Sequence, residues 1–110
     1  MRTVPGIRID IRRILLARAL TPRPGHERVA QLLQRHGERV FGVPLPVQGV
    51  GLYTDARLYA EAGIPVVLYG AGPRTLLESN AKRADENLLL EDLRKATQVV
   101  ACTLAEMLGD

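Results

Sequence analysis

The sequence predicts an α/β fold on the strength of three observations. One segment alternates polar and apolar residues with the period of a β-strand, and one short run is continuously apolar, as buried strands are. Two longer segments have the apolar spacing of amphipathic helices. The predicted order is strand, helix, strand or linker, helix, strand, helix, which is typical of a chain with at least one βα unit.

The first predicted strand begins near Ile7. Ile7, Ile9 and Ile11 fall on one face and charged residues at positions 8, 10 and 12 on the other, so we expect a half-buried, antiparallel strand. An extension to Leu16 is also open, and the turn-forming residues 21–25 end the segment.

The first predicted helix covers about Pro24 to Val40. Its apolar face comprises Val29, Leu32, Leu33, His36 and Val40. Arg35 and Arg39 lie near its carboxyl end, where the helix dipole favours positive charge.

The middle of the chain is predicted to be less regular. Residues 43–47 contain two prolines and fit only an edge strand or a linker, and a boundary or hinge is expected at 49–53. Thr54 is the expected N-cap of a short helix over Asp55 to Ala62, which Gly63 ends.

The last third contains the most regular predicted elements. Residues 64–69 predict a central strand covered on both faces, and a glycine-rich loop follows it. A helix is predicted from Leu90 to Leu108, with Gly109 as its stop. Its expected apolar stripe is Leu93, Ala96, Val100, Leu104 and Met107.

The composition limits the classes of protein to which this chain can belong. The 110 residues suit one domain or two partial ones, and with 46% hydrophobic and 25% charged residues they resemble a soluble globular protein with an aliphatic core. The single cysteine, Cys102, excludes an internal disulfide and is expected to be a buried, inert thiol. No membrane span or secretory signal is evident, so the cytoplasm is the expected location.

The net charge of +3 is unevenly distributed. Up to Val40 there are nine arginines against three acidic residues, whereas the remainder is net acidic. Such polarity can indicate nucleic-acid binding, but aromatic residues are not interleaved with the arginines, so we do not expect a nucleic-acid partner.

The two histidines are poor candidates for a joint metal site. His26 and His36 are ten residues apart on one predicted helix, which separates their Cα atoms by about 15 Å and their directions by about 80°. We expect His36 to be a partly buried residue of the helix face and His26 a surface residue of the first turn.

The loop Gly70-Ala-Gly-Pro73 follows the predicted buried strand. Glycines at the carboxyl end of a strand let backbone N–H groups approach an anion, although the spacing is not that of a dinucleotide-binding loop. An anion site and an ordinary turn both remain open.

Five motifs, in this order along the sequence, resemble those of a known protein family. They are Gly51-Leu-Tyr-Thr-Asp-Ala-Arg57, Ala62-Gly-Ile-Pro65, Tyr69-Gly-Ala-Gly-Pro73, Asn80-Ala-Lys-Arg-Ala-Asp-Glu86 and Leu90-Glu-Asp-Leu93. Upstream, Arg8-Ile-Asp-Ile-Arg12 looks like a strand of an inserted lid domain. Together they resemble the C-terminal portion of the acetylornithine deacetylase, succinyl-diaminopimelate desuccinylase and carboxypeptidase G family of zinc amidohydrolases and peptidases.

The resemblance implies two partial domains. Residues 1–49 would be the second half of a ferredoxin-like lid, or dimerisation, domain, and residues 50–110 the closing βα segment of a zinc-aminopeptidase-like α/β catalytic domain. The family's two zinc ions are held mostly by residues of a preceding segment that this sequence does not contain.

The resemblance also implies a set of site residues. Lys82 stands where the family has a histidine ligand, and a protonated lysine has no lone pair for zinc, so no metal ligand is expected in this chain. Lys82 would supply a positive charge in place of a metal ion, or be a solvated loop residue. Asp55 would fix the loop geometry and Arg57 would meet a substrate carboxylate, or the two would be a helix cap and a surface residue. Gly70 and Gly72 would flank the substrate, and Asp85 and Glu86 would order the loop before the last helix.

Two functions follow as expectations. The first is a fragment of a metal-dependent amidohydrolase or peptidase acting on N-acyl amino acids or peptide-like amides, with no catalytic residue of its own and no activity alone. The second is a non-catalytic α/β module that self-associates as a homodimer or larger assembly, because an unpaired strand favours pairing with another copy.

Overall fold

The computed structural model of this chain describes residues 4–51, 53–71, 75 and 77–109. These residues form three helices: α1 over His26–Phe41, α2 over Ala56–Glu61 and α3 over Leu90–Leu108. All three helices were predicted from the sequence, and the bounds of α3 coincide with the prediction. No β-strand is assigned within the described ranges.

Helix α1 is bounded by two glycines in the left-handed conformation. Gly25 precedes it with φ 99°, and Gly42 follows it with φ 74° and donates its N–H to the Glu38 carbonyl at 2.8 Å. Such backbone angles are costly for residues with a Cβ, so the glycines fix the helix ends. Leu32, His36 and Gly37 are buried on the face that the sequence predicted to be apolar.

Helix α2 is short and capped on both sides. The Thr54 hydroxyl accepts the Ala56 N–H at 3.0 Å, although the residue at the N-cap position is Asp55 rather than Thr54. Gly63 lies just past the carboxyl end with φ 82°, and its N–H donates to the Ala60 carbonyl at 3.0 Å. The predicted stop at Gly63 is therefore confirmed.

Helix α3 packs on α1 through a different face from the one predicted. Ala96, Val99 and Thr103 are buried, and Val99 is fully buried. The predicted stripe is wrong except for Ala96 and the partly buried Met107, because Leu93, Val100 and Leu104 are 39–50% exposed. The apolar residues of α3 cover more than one face, and only one of them meets a partner helix within the described chain.

The predicted α/β fold, with its ferredoxin-like lid and closing βα segment, is wrong, because the described chain has three helices and no sheet. The three segments predicted as strands or linker, residues 7–16, 43–47 and 64–69, belong to no backbone ladder. A strand needs a neighbouring strand for its hydrogen bonds, and the described residues provide none. The expected burial of residues 64–69 is wrong as well, since Ile64 and Leu68 are nearly half exposed.

The chain encloses only a small core. Its buried hydrophobic residues within the described ranges are Leu32, Ala60, Ala96 and Val99. The radius of gyration is 19.5 Å, against about 13 Å for a compact domain of about this length, and the extents are 66 × 35 × 19 Å. Many large hydrophobic side chains of the described residues are therefore exposed. The domain boundary predicted near Gly49 stays a prediction, although α1 and α3, which lie on either side of it, pack together.

Candidate functional site

A cleft of about 840 Å³ lies beside α1. One wall is the face of α1 that includes Ala30, Leu33 and Gln34. The other walls come from residues 17–20, 22, 45–51, 53, 54 and 66–69, together with Arg57. The lining is mostly apolar, with a few polar and charged side chains, which is the usual character of a small-molecule site.

The loop at residues 45–47 is held against α1 by two contacts. The Gln34 side-chain amide donates to the Leu45 carbonyl at 2.8 Å. The Leu45 side chain lies over Gly37, so closely that a Cβ on Gly37 would come within 2.0 Å of Leu45 Cδ1. Because Gly37 has no side chain, Leu45 can pack against α1 and this wall of the cleft can form.

Arg57 is the cation held most firmly in the cleft. Its side chain is only 11% exposed, and its Nε donates to the Tyr53 hydroxyl at 2.7 Å. A second guanidinium nitrogen, Nη2, also donates to that hydroxyl, and Cζ lies 4.9 Å from the centre of the Tyr53 ring. Glu61 approaches Nη1 at 3.5 Å from one turn further along the chain.

These contacts keep the guanidinium charged and oriented. The hydrogen bond to Tyr53 raises the pKa of Arg57 above its ordinary value, with smaller help from the Glu61 carboxylate. An arginine has five N–H donors in a planar fork, so Arg57 has donors beyond those that contact Tyr53. A fixed guanidinium on an apolar wall is suited to binding a carboxylate or phosphate.

His26 also lines this cleft. Its Nδ1 lies 2.8 Å from the Arg23 carbonyl, which can only accept, so Nδ1 carries the proton of the neutral ring and Nε2 is the acceptor. The sequence analysis missed this position and placed His26 on the surface. The reason is tertiary: Arg23 Nε donates to the Ala60 carbonyl at 2.6 Å, which ties the turn before α1 to α2.

Tyr69 lines the cleft from the segment after α2. Partial burial raises the pKa of its hydroxyl above the ordinary value. The group is therefore a neutral phenol at neutral pH and is able to donate a hydrogen bond to a ligand.

The structure separates the substrate-binding residues that the sequence predicted. Arg57 lies in the cleft, whereas Asp55, Gly70 and Lys82 do not line it. Gly72 lies outside the described residues. Asp55 is exposed at the N-cap of α2, and Gly70 and Lys82 are exposed as well.

The loop before α3 is ordered by its own acidic residues, as predicted for Asp85 and Glu86. Asp85 accepts from the Asn80 amide at 3.0 Å, and Glu86 accepts from the Lys82 backbone N–H at 3.0 Å. Asn80 and Lys82 both have positive φ, 52° and 63°. These hydrogen bonds hold the two residues in a conformation that side chains rarely adopt.

The residues present do not fit the zinc that the resemblance implies. Nowhere in residues 4–51, 53–71, 75 and 77–109 do three or more His, Cys, Asp or Glu side chains form a group that could hold a metal ion. At the position of the implied histidine ligand, Lys82 offers an exposed ammonium, and the neighbouring carboxylates are engaged within the loop.

A polar bridge joins α1 to α3 away from the cleft. Glu106 accepts hydrogen bonds from Arg35 and from His36 Nε2, the latter at 2.7 Å, and Arg39 donates to His36 Nδ1 at 3.1 Å. Because a guanidinium only donates, His36 Nδ1 is the acceptor in this contact and Nε2 is the donor to Glu106. The burial of His36, 8% exposed, confirms its predicted place on the helix face.

Cys102 differs from its prediction. It is only partly buried, because it lies to one side of the contact between α3 and α1.

Comparison with protein-family models, with curated proteins and with solved structures finds no match for this chain. Within the described residues, no helix combines the length and the apolar character that crossing a lipid bilayer requires.

Proposed function

We propose that this chain forms the carboxylate-binding part of a metal-dependent amidohydrolase or peptidase that acts on N-acyl amino acids or peptide-like amides, and that it is inactive alone. The observation that carries the proposal is Arg57, whose side chain is 11% exposed and whose guanidinium is fixed by Tyr53 on the wall of an apolar cleft. The reaction class rests on the sequence motifs that surround this arginine.

The cleft supports an N-acyl amino acid as ligand for two reasons. Its volume of about 840 Å³ is within the range of small-molecule sites. Its apolar lining suits an acyl group and an aliphatic side chain, while Arg57 supplies donors for the carboxylate. His26 and Tyr69 add one acceptor and one donor at the same cleft.

Binding of N-acetyl-leucine and of its carboxamide, N-acetyl-leucinamide, tests the role of Arg57. The two ligands differ only in the charged group, and a charge-assisted hydrogen bond contributes about 1.5–3 kcal/mol. By NMR titration we expect a millimolar Kd for the acid and at least tenfold weaker binding of the amide.

The Arg57→Gln variant should lower the affinity for the acid to that for the amide. Arg94→Gln is the matched control, because Arg94 is an exposed arginine of α3 that pairs with Glu91 and does not line the cleft. Equal binding of acid and amide by the unmodified chain would refute the assignment.

Inactivity of the isolated chain is tested separately. Incubation with N-acetyl amino acids and added zinc should release no free amino acid above the rate without protein. Turnover that requires the chain would show that it carries a complete catalytic site.

A second candidate function is a non-catalytic self-association module. It is favoured by the amount of uncovered apolar surface: twenty-three large hydrophobic side chains of the described residues are exposed. Sedimentation equilibrium should then show dimers or larger assemblies at micromolar concentration. A strict monomer throughout that range would exclude this function, while Arg57→Gln should not affect it.

A further inference from the structure

His26 has one ring nitrogen in use and a second one that is free. Nδ1 donates to the Arg23 carbonyl at 2.8 Å, and the Glu27 carboxylate lies 3.5 Å from the same nitrogen. Across residues 4–51, 53–71, 75 and 77–109, no hydrogen bond or ion pair involves Nε2. The side chain is 26% exposed and lines the cleft beside α1. With the proton on Nδ1, the neutral ring therefore offers Nε2 to a ligand as a hydrogen-bond acceptor.

A single contact ties the turn that holds His26 to the helix that carries Arg57. Arg23 Nε donates to the Ala60 carbonyl at 2.6 Å. Ala60 follows Arg57 in α2 by three residues, and residues at that spacing are neighbours on a helix surface. The Arg23 carbonyl accepts both the His26 backbone N–H, at 3.1 Å, and the ring Nδ1–H. Arg23 therefore connects the two walls of the cleft that carry the imidazole and the guanidinium.

We propose that His26 Nε2 accepts a hydrogen bond from the amide N–H of the N-acyl amino acid whose carboxylate Arg57 binds. This assignment rests on the function proposed above for Arg57. In such a ligand the amide nitrogen and the carboxylate are attached to the same carbon atom, so an acceptor and a cation on two walls of one cleft can bind both. The substrate class is thereby narrowed to secondary amides. Acyl esters and N-acylprolines are excluded, because neither has an N–H at this position.

The selectivity follows from what an ester would leave behind. An ester oxygen is an acceptor like Nε2, so the two atoms form no hydrogen bond and their lone pairs repel each other. Nε2 is then without a partner in a mostly apolar cleft, away from full contact with water. A site with a polar group placed for a ligand N–H discriminates against the analogue that lacks it for this reason.

Two ligands that differ in one group test the proposal on the unmodified chain. They are N-acetyl-leucine and the acetyl ester of 2-hydroxy-4-methylpentanoic acid, in which an oxygen atom replaces the amide N–H and the carboxylate is kept. A neutral hydrogen bond contributes modestly to binding, so by NMR titration we expect the Kd of the ester to be about fivefold higher. Equal Kd values for the two ligands would overturn the proposal.

Two substitutions of His26 separate its two nitrogens. The amide nitrogen of His26→Asn can replace Nδ1 as donor to the Arg23 carbonyl, but this side chain has no acceptor at the place of Nε2. His26→Gln is the matched control, because its longer side chain brings a carbonyl oxygen to about that place. We expect His26→Asn to bind the two ligands equally and His26→Gln to keep at least a threefold preference for N-acetyl-leucine. A full preference in His26→Asn, or equal loss of preference in both variants, would overturn the proposal.

The role of Arg57 is measured in the same experiments by a different ratio. Both His26 variants should retain the tenfold preference for N-acetyl-leucine over N-acetyl-leucinamide, since the carboxylate contact does not involve the imidazole. Loss of this preference as well would mean that His26 only holds the turn before α1, which also overturns the proposal. A chain that prefers the amide to the ester but not the acid to the carboxamide would refute the assignment of Arg57 alone.

Discussion

Two regions of this chain are similarly rich in aliphatic residues, but only one of them buries these side chains. The α1–α3 pair buries Leu32, Ala96 and Val99, whereas the segment at residues 7–16 leaves its isoleucines and leucines 45–92% exposed. A helix satisfies its backbone hydrogen bonds within itself and then needs only one apolar contact. A strand needs a second strand before it can bury anything. Apolar patterning alone therefore does not produce a core.

The largest expected effect comes from placing a charge at the centre of the contact between α1 and α3. Val99→Asp should destabilise the chain by at least about 3 kcal/mol, because an unpaired buried charge has no compensating partner. Val100→Asp, one residue along on a face that is 39% exposed, should cost less than about 1 kcal/mol. Urea unfolding followed by far-UV circular dichroism measures both. Equal loss of helix in the two variants would contradict the α1–α3 interface.

A smaller change tests how the loop at residues 45–47 depends on α1. Gly37→Ala gains about 1 kcal/mol of helix propensity but sets a Cβ against Leu45, and overpacking costs roughly 1–3 kcal/mol. We expect a net loss of about 1 kcal/mol in the unmodified chain and a gain of about 1 kcal/mol in a Leu45→Ala background. Urea unfolding of the unmodified chain, the two single variants and the double variant gives the coupling energy between positions 37 and 45. If the changes in the free energy of unfolding are additive, Leu45 does not cover Gly37.

The polar bridge makes the stability of the helix pair depend on pH. Hydrogen bonds from Arg35 and then His36 lower the pKa of Glu106 below its ordinary value of 4.5. The folded chain therefore holds this proton less tightly than the unfolded chain, and the stabilisation is present above pH 4.5 and is lost as the pH falls through the lowered value.

The urea concentration at the midpoint of unfolding should consequently decrease as the pH is lowered from 6 to 3. In the Glu106→Gln variant this midpoint should decrease less. An identical fall in both proteins would show that Glu106 does not contribute. The carboxylate is 37% exposed, so the effect is modest.

The smallest expected effect lies in the unpaired segment. Ile14 is 92% exposed, so Ile14→Ser should change the free energy of unfolding by less than about 0.5 kcal/mol. Leu32→Ser on α1 is the comparison and should cost several times more. A large effect of Ile14→Ser, measured by the same unfolding experiment at low protein concentration, would show that this segment packs within the monomer.

The helices were predictable because their signals are local. Gly63 and Gly109 lie next to the ends of α2 and α3, and amphipathic spacing indicated both long helices. The alternating pattern of residues 7–11 predicted a strand that the structure does not contain. It does not specify the neighbouring strand, which depends on residues distant in sequence or on another chain.

The candidate site was predictable only in part. The motif around Arg57 singled out this arginine, but the partners that fix it, Tyr53 and Glu61, were not identified. His26 was missed because its place in the cleft depends on the Arg23–Ala60 contact across 37 residues. The face of α3 that meets α1 was missed because its apolar residues do not form a single stripe.

The exposed run Ile14-Leu15-Leu16 has a consequence for how the chain behaves in a crowded solution. Short apolar segments of this kind drive aggregation unless charged gatekeeper residues flank them. Here Arg12, Arg13 and Arg18 provide like charges on both sides. Exposed charges are screened over about 8 Å at physiological salt, so this protection weakens as the ionic strength rises. We therefore expect the three flanking arginines to oppose aggregation of this run, and to do so best at low ionic strength.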